Sequence, residues 1–198
     1  MRTYTITKVN GKIDWERVGT LAIDNLLWTE SCDIAAWAKI AYDAENLYVR
    51  LWAKETNIRA EHTSQTGMPC EDSCLEFFFA PAADDTRYMN FEFNPNGASW
   101  IGIAYGRDDA VRILTDLSIF DPKPIRTEDG WQITYRIPLS FVRLFVPQTT
   151  FASGVKIRAN CYKCGDLTVL PHYLSWNRVG HETPEFHSYP YFGEMIFE

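Results

Sequence analysis

The stretch Glu71–Pro81, reading Glu-Asp-Ser-Cys-Leu-Glu-Phe-Phe-Phe-Ala-Pro, leaves this chain few ways to fold. Aromatic residues favour a pleated surface, and the closing proline lacks the N–H that a further ladder bond would need. On a strand, side chains alternate between faces. Ser73, Leu75, Phe77 and Phe79 therefore share one side, apolar enough to face a core. Cys74, Glu76 and Phe78 share the other, so Glu76 is a carboxylate on the second face of a central strand. It is explained by a solvated sheet face, by an ion pair with a neighbouring strand, or by a ligand.

The pattern recurs along the chain. Thr3–Val9 alternates weakly, as an edge strand does. Gly11–Trp28 has no sustained period and reads as an extended lead-in with a turn of helix. Clear strands follow at Ala36–Tyr42 and Asn46–Lys54, where Leu47, Val49 and Leu51 oppose Tyr48, Arg50 and Trp52. The polar run Glu55–Pro69 reads as a long loop, a common place for function. Tyr88–Phe93 and Ser99–Tyr105 flank the turn sequence Asn94-Pro-Asn-Gly97 and form a hairpin. Shorter strands are expected at Val111–Phe120 and Ile125–Thr127. Trp131–Ile137 and Val155–Tyr162 alternate cleanly, and Gly193–Phe197 closes the chain. Pro138–Phe145 is the one helix candidate, opened by proline. Short strands, frequent turns and one minor helix predict an all-β fold, an antiparallel β-sandwich, with residues 1–198 as a single domain.

Twelve Phe, ten Tyr and seven Trp are more aromatics than a core of this size needs, which leaves some for a binding surface. A formal charge of −7 without a basic run argues against nucleic acid. No apolar stretch reaches the length of a membrane span, and the first residues carry no hydrophobic signal region. As it stands the chain reads as cytoplasmic; with a leader removed, it would be extracellular or periplasmic. Five cysteines cannot all pair within one chain, and reduced, buried thiols are expected.

Pooled together, the second faces of the strands carry Tyr48, Arg50 and Trp52, then Glu76, then Asn90, Glu92 and Asn94, then Arg158, Asn160 and Tyr162. Carboxylates, amides and a guanidinium read hydroxyl groups, and aromatic faces pack on sugar C–H faces. The same residues admit other chemistries. Cys161-Tyr-Lys-Cys164 has a metal or redox spacing, but Cys161 is expected to point coreward. Glu76 and Glu92 could serve as a glycosidase carboxylate pair.

Five motifs occur in order: Asp72-Ser-Cys-Leu-Glu-Phe-Phe, Asn90-Phe-Glu-Phe-Asn94, Arg158-Ala-Asn-Cys-Tyr-Lys-Cys-Gly-Asp166, Pro171-His-Tyr-Leu-Ser-Trp176, and Pro184-Glu-Phe-His with Tyr191-Phe-Gly193. The set resembles the carbohydrate-binding family 9-like proteins, related to the family 9 carbohydrate-binding modules, from about Ala36 to the C-terminus. The resemblance implies a non-catalytic domain in which two tryptophans clamp a terminal sugar and polar side chains read its hydroxyls. It maps the later tryptophan onto Trp176, the carboxylate onto Glu76, and a polar pair onto Arg158 and Asn160. The earlier tryptophan falls on Cys70, with Trp52 as a substitute, and an arginine position falls on Glu92. The expected sugar-binding set is thus Trp176, Glu76, Arg158, Asn160, Glu92 and Trp52. The expected partners are a saccharide and glycan-degrading enzymes. No cofactor is required, although the acidic loops permit calcium. Relatives of the fold that bind b-type haem suggest an alternative, with Met68 and His172 as axial ligands.

Overall fold

The computed structural model describes all 198 residues. Fourteen strands are laid down in chain order: β1 (Thr3–Lys8), β2 (Leu21–Ile23), β3 (Asn25–Leu26), β4 (Ala35–Tyr42), β5 (Asn46–Lys54), β6 (Cys74–Ala80), β7 (Tyr88–Phe93), β8 (Ser99–Ala104), β9 (Val111–Arg112), β10 (Lys123–Arg126), β11 (Gly130–Pro138), β12 (Lys156–Gly165), β13 (His172–Ser175) and β14 (Gly193–Phe197). The helix is shorter than Pro138–Phe145. It is one turn, α1 (Leu139–Val142), with Pro138 as its extended cap. Of Val111–Phe120 only the first two residues pair, and the segment then coils into a short turn at Leu117–Ile119.

The strands run β10-β11-β5-β4-β1-β14-β12-β6-β7-β8-β9 in one curled sheet. The expectation of a purely antiparallel sheet fails at β1, which runs parallel to both β14 and β4 and so joins the two halves. One contiguous core fills the inside of the curl. Leu75, Phe77 and Phe79 of β6 and Phe91 and Phe93 of β7 meet Val49 and Leu51 of β5 and Ile133 and Tyr135 of β11. Fully burying one such side chain stabilises the fold by roughly 1.5–3 kcal/mol.

The alternation of β12 puts a charge into that core. Ile157, Ala159 and Cys161 face inward, and the next position on that side is Lys163, which is 0% exposed. Its Nζ lies 3.2 Å from Glu55 Oε2 and donates to His172 Nε2 at 2.6 Å and the Cys164 carbonyl at 2.9 Å. Glu55 also accepts from Ser73 Oγ at 2.7 Å and Trp131 Nε1 at 3.3 Å. His172 donates through Nδ1 to the Leu170 carbonyl at 2.9 Å, leaving Nε2 as the acceptor. Burial and the adjacent Lys163 charge push this imidazole down to about 4. The cluster ties the loop after β5 to β6, β11, β12 and β13.

The other face of β6 is not open to solvent. The segment after β13 folds across it and builds a second, smaller apolar cluster that includes Phe78, Tyr88, Tyr162, Phe186 and Phe192. Phe186 stacks on Tyr162 with ring centres 4.1 Å apart. His187 sits edge-on to Phe78 at 5.0 Å and accepts the Tyr88 hydroxyl through Nδ1 at 3.0 Å. Burial pushes the His187 imidazole down to about 4, with the Glu185 carboxylate opposing.

Two stability predictions follow from these buried groups. Lys163→Met leaves Glu55 as an uncompensated buried charge and should cost about 3–5 kcal/mol in urea unfolding, whereas Lys163→Met with Glu55→Gln should recover much of the loss. For His187, the folded pKa lies below the ordinary 6.5. Between those two values the unfolded chain binds a proton that the folded chain refuses, so stability falls as pH drops through the window. His187→Gln should therefore shrink the difference in unfolding free energy between pH 7 and pH 5 by about 2 kcal/mol.

Candidate binding site: a cleft over a buried carboxylate pair

Register assembles this site. Tyr162 of β12 lies opposite Glu76 of β6, Glu76 opposite Glu92 of β7, and Glu92 opposite Trp100 of β8. One step along, Tyr173 of β13 lies opposite Cys164 of β12, which lies opposite Cys74 of β6. All these side chains emerge on the same face, because directly opposed residues share a face. Two carboxylates thus occupy the middle of a row that aromatic residues bound on both sides. Above them the covering segment stops short and leaves a cleft of about 280 Å³.

Glu76 and Glu92 form its floor, at 2% and 6% exposure. Glu76 Oε1 accepts from Cys164 Sγ at 3.0 Å, and Glu92 Oε1 accepts from Asn90 Nδ2 at 2.7 Å. Burial pushes Glu76 up to about 7, and the Asp166 charge adds to the effect against the Cys164 hydrogen bond. Burial likewise raises Glu92, and the Glu76 charge raises it further. Like charges on directly opposed residues disfavour ionisation of both, which favours a proton held by the pair. It can then donate one hydrogen bond and accept several.

The walls are aromatic. Trp28 packs edge-on to Tyr173 at 5.6 Å and against Phe186 at 5.5 Å, with its indole N–H donating to the His181 carbonyl at 2.7 Å. Its backbone has φ 55°, in the left-handed region that residues with side chains rarely enter, and such strain collects at ligand clamps. On the far side Trp100 is covered by the Arg112 guanidinium, 3.7 Å above its ring. The Trp100 indole N–H is buried without an acceptor. Gly102 makes room for it: a Cβ there would stand 3.0 Å from Trp100 Nε1 and 2.7 Å from Asn90 Oδ1. Arg107 and Asp166 stand at the rim with Met68 and Cys70, and Arg107 Nε donates to Glu185 at 2.6 Å.

Of the six residues expected from sequence, the structure brings Glu76 and Glu92 together and places the other four elsewhere. Trp176 is 3% exposed and belongs to the main core, edge-on to Tyr4 at 6.5 Å and pressed against Gly193, where a Cβ would meet its ring at 2.5 Å. Asn160 is consumed by backbone bonds, donating to the Asn177 carbonyl at 2.8 Å and accepting from Asn177 N at 2.8 Å and Cys161 N at 3.0 Å. Arg158 braces the chain before β14, donating to the Phe192 carbonyl at 3.1 Å. Trp52 stacks on Trp37 at 5.7 Å on the outer face of the β4–β5 half, so the pooled polar face was drawn from two separate surfaces. Met68 and His172 line different cavities and make no axial pair. Cys161 faces the core while Cys164 faces the cleft, which separates the Cys-x-x-Cys pair.

The expected set did not include Trp28, Trp100, Tyr173, Phe186 or Arg107, all of which line the cleft. Trp100 was within reach, since counting back through the Asn94–Gly97 turn sets it opposite Glu92. Trp28 and Phe186 come from irregular segments in which no periodicity marks a face.

The sequence profile of Carbohydrate-binding family 9 matches residues 7–197. The fold is shared with a candidate carbohydrate-binding protein from Bacteroides uniformis at TM-score 0.87 and 24% identity, over 100% of this chain and 99% of that one. It is shared also with a family 9 carbohydrate-binding module from Caldicellulosiruptor kristjanssonii solved with glucose, at TM-score 0.70 and 14% identity over 100% and 96% of the two chains. The cellotriose complex of a module from the same organism aligns at TM-score 0.72 and 14% identity over 100% and 94%. A comparison with curated proteins finds no match. With a profile match across nearly its whole length and this shared all-β fold, the chain belongs to carbohydrate-binding family 9.

Proposed function

We propose that residues 1–198 act as one non-catalytic carbohydrate-binding domain, a β-sandwich in outline, that takes the end of a saccharide into the cleft above Glu76 and Glu92 and holds it for a glycan-degrading partner. The observation that carries this reading is the cross-strand row Tyr162–Glu76–Glu92–Trp100 beneath an aromatic-walled cleft. A half-protonated carboxyl pair suits a vicinal diol, which both donates and accepts. Trp28, Tyr173 and Trp100 supply aromatic surface in the cleft on which the apolar C–H face of a sugar ring can pack. The volume, about 280 Å³, lies just under the roughly 300–1,000 Å³ of sites that bury drug-sized ligands, so a terminal sugar or a short glycan end fits. Membership of a family of binding modules, and solved relatives holding glucose and cellotriose, support the same ligand class. Trp176, Asn160 and Arg158 serve as frame in this reading.

Calorimetry against glucose, cellotriose and a panel of other mono- and oligosaccharides tests it. At least one saccharide should bind with 1:1 stoichiometry. Trp100→Ala and Trp28→Ala should each weaken it by about 10-fold, or 1.4 kcal/mol, while Trp52→Ala stays within about 2-fold. Binding by no sugar, or full affinity in both cleft variants, would contradict the proposal. Release of free sugar that disappears in Glu76→Gln would make the carboxyl pair hydrolytic instead.

A further inference from the structure

We infer that the cleft floor carries a site for one thiophilic divalent cation, zinc by its donor set, held by Cys74 Sγ, Cys164 Sγ and a Glu76 carboxylate oxygen. Cys74 and Cys164 are direct cross-strand partners, and Glu76 is the next residue of β6 on the same face. The three ligating atoms all lie within 4.8 Å of one another, and all three side chains are buried at 0–2% exposure. Tetrahedral zinc with Zn–S bonds near 2.3 Å holds its sulfurs about 3.8 Å apart, a separation within the 4.8 Å spacing of these three atoms. Two sulfurs and one oxygen favour zinc over calcium or magnesium, which seek shells of oxygen.

Entry and an open position come from the same geometry. Glu76 and Cys164 line the cleft, so an ion on these three ligands would have its fourth position directed towards the cleft, the arrangement that keeps a site open to water or ligand. Neighbouring bonds orient the set, with Cys164 Sγ also 3.8 Å from the Cys70 carbonyl. On binding, the two thiols release two protons to the buffer, whose charge the divalent cation replaces, and any carboxylic proton is released as well, leaving the occupied set with one net negative charge. Cys161 has no part, since it faces the core. The sequence spacing Cys161-x-x-Cys164 therefore does not define this site, which draws its second thiol from β6.

This site shares Glu76 with the cleft floor of the saccharide reading, and its test contains no sugar, so the two can fail separately. The full chain, stripped with chelator, kept reduced and handled without oxygen, is titrated with Co²⁺ and then with Zn²⁺. One equivalent of Co²⁺ should give a near-ultraviolet thiolate-to-cobalt charge-transfer band with visible bands of tetrahedral cobalt, and one equivalent of Zn²⁺ should abolish both. Cys74→Ser and Cys164→Ser should each weaken Zn²⁺ binding at least about 10-fold, while Cys32→Ser should not alter it. Wild-type protein with no charge-transfer band at one equivalent would overturn the inference, whatever the variants do. So would a band that persists in a folded double variant, Cys74→Ser with Cys164→Ser.

Discussion

Strand β6 is buried on both faces along its whole length, and much of the molecule answers to that constraint. Its inward residues, Leu75, Phe77 and Phe79, anchor the main core. Its outward residues, Cys74, Glu76 and Phe78, need a cover of their own, which the segment between β13 and β14 supplies with Phe186, His187 and Phe192. The cover seats Phe78 in an apolar layer but stops before Glu76. A carboxylate is thereby desolvated without a cation beside it, next to a second carboxylate in register. A sheet face that merely met solvent would not produce this arrangement, because water would keep both groups ionised.

The two buried charge clusters of the fold behave differently. At Lys163 the donors and acceptors close on one another: lysine, glutamate, histidine, serine and indole each find a partner. Such a network fixes how the two halves of the curl sit together. Beneath the cleft the groups do not close. Glu76 and Glu92 lack a cationic partner in hydrogen-bond contact, and the Trp100 indole N–H lacks an acceptor. Polar groups that close on one another serve as structure, whereas carboxylates that line a cavity with acceptor positions to spare can hydrogen-bond a ligand.

Most of the fold was legible in the sequence because period-2 alternation states directly which side chains go inward. The inward sets of β5, β6, β11 and β12 follow that rule, and Lys163 obeys it too, against its own polarity. The parallel pairing of β1 was hidden, since pairing partners far apart in sequence leave no local trace. The cleft floor was legible and its walls were not. Glu76 and Glu92 announced themselves as carboxylates among aromatics on a strand face. Resemblance maps Trp176 to a position in a motif but not the side to which its ring turns; here the small Gly193 accepts that ring into the core. Trp28 lies in irregular backbone with a positive φ, where no alternation rule applies.

The proposed cleft predicts which indoles meet the ligand. The chain has seven tryptophans, whose side-chain N–H resonances can be followed singly in a ¹⁵N-labelled protein. Titration with glucose, cellotriose and the tightest saccharide found by calorimetry should move the Trp100 and Trp28 indole signals, Trp100 most, and leave Trp52, Trp131 and Trp176 in place. Shifts confined to Trp52 or Trp176, or no indole shift with any saccharide, would contradict the cleft as the binding site.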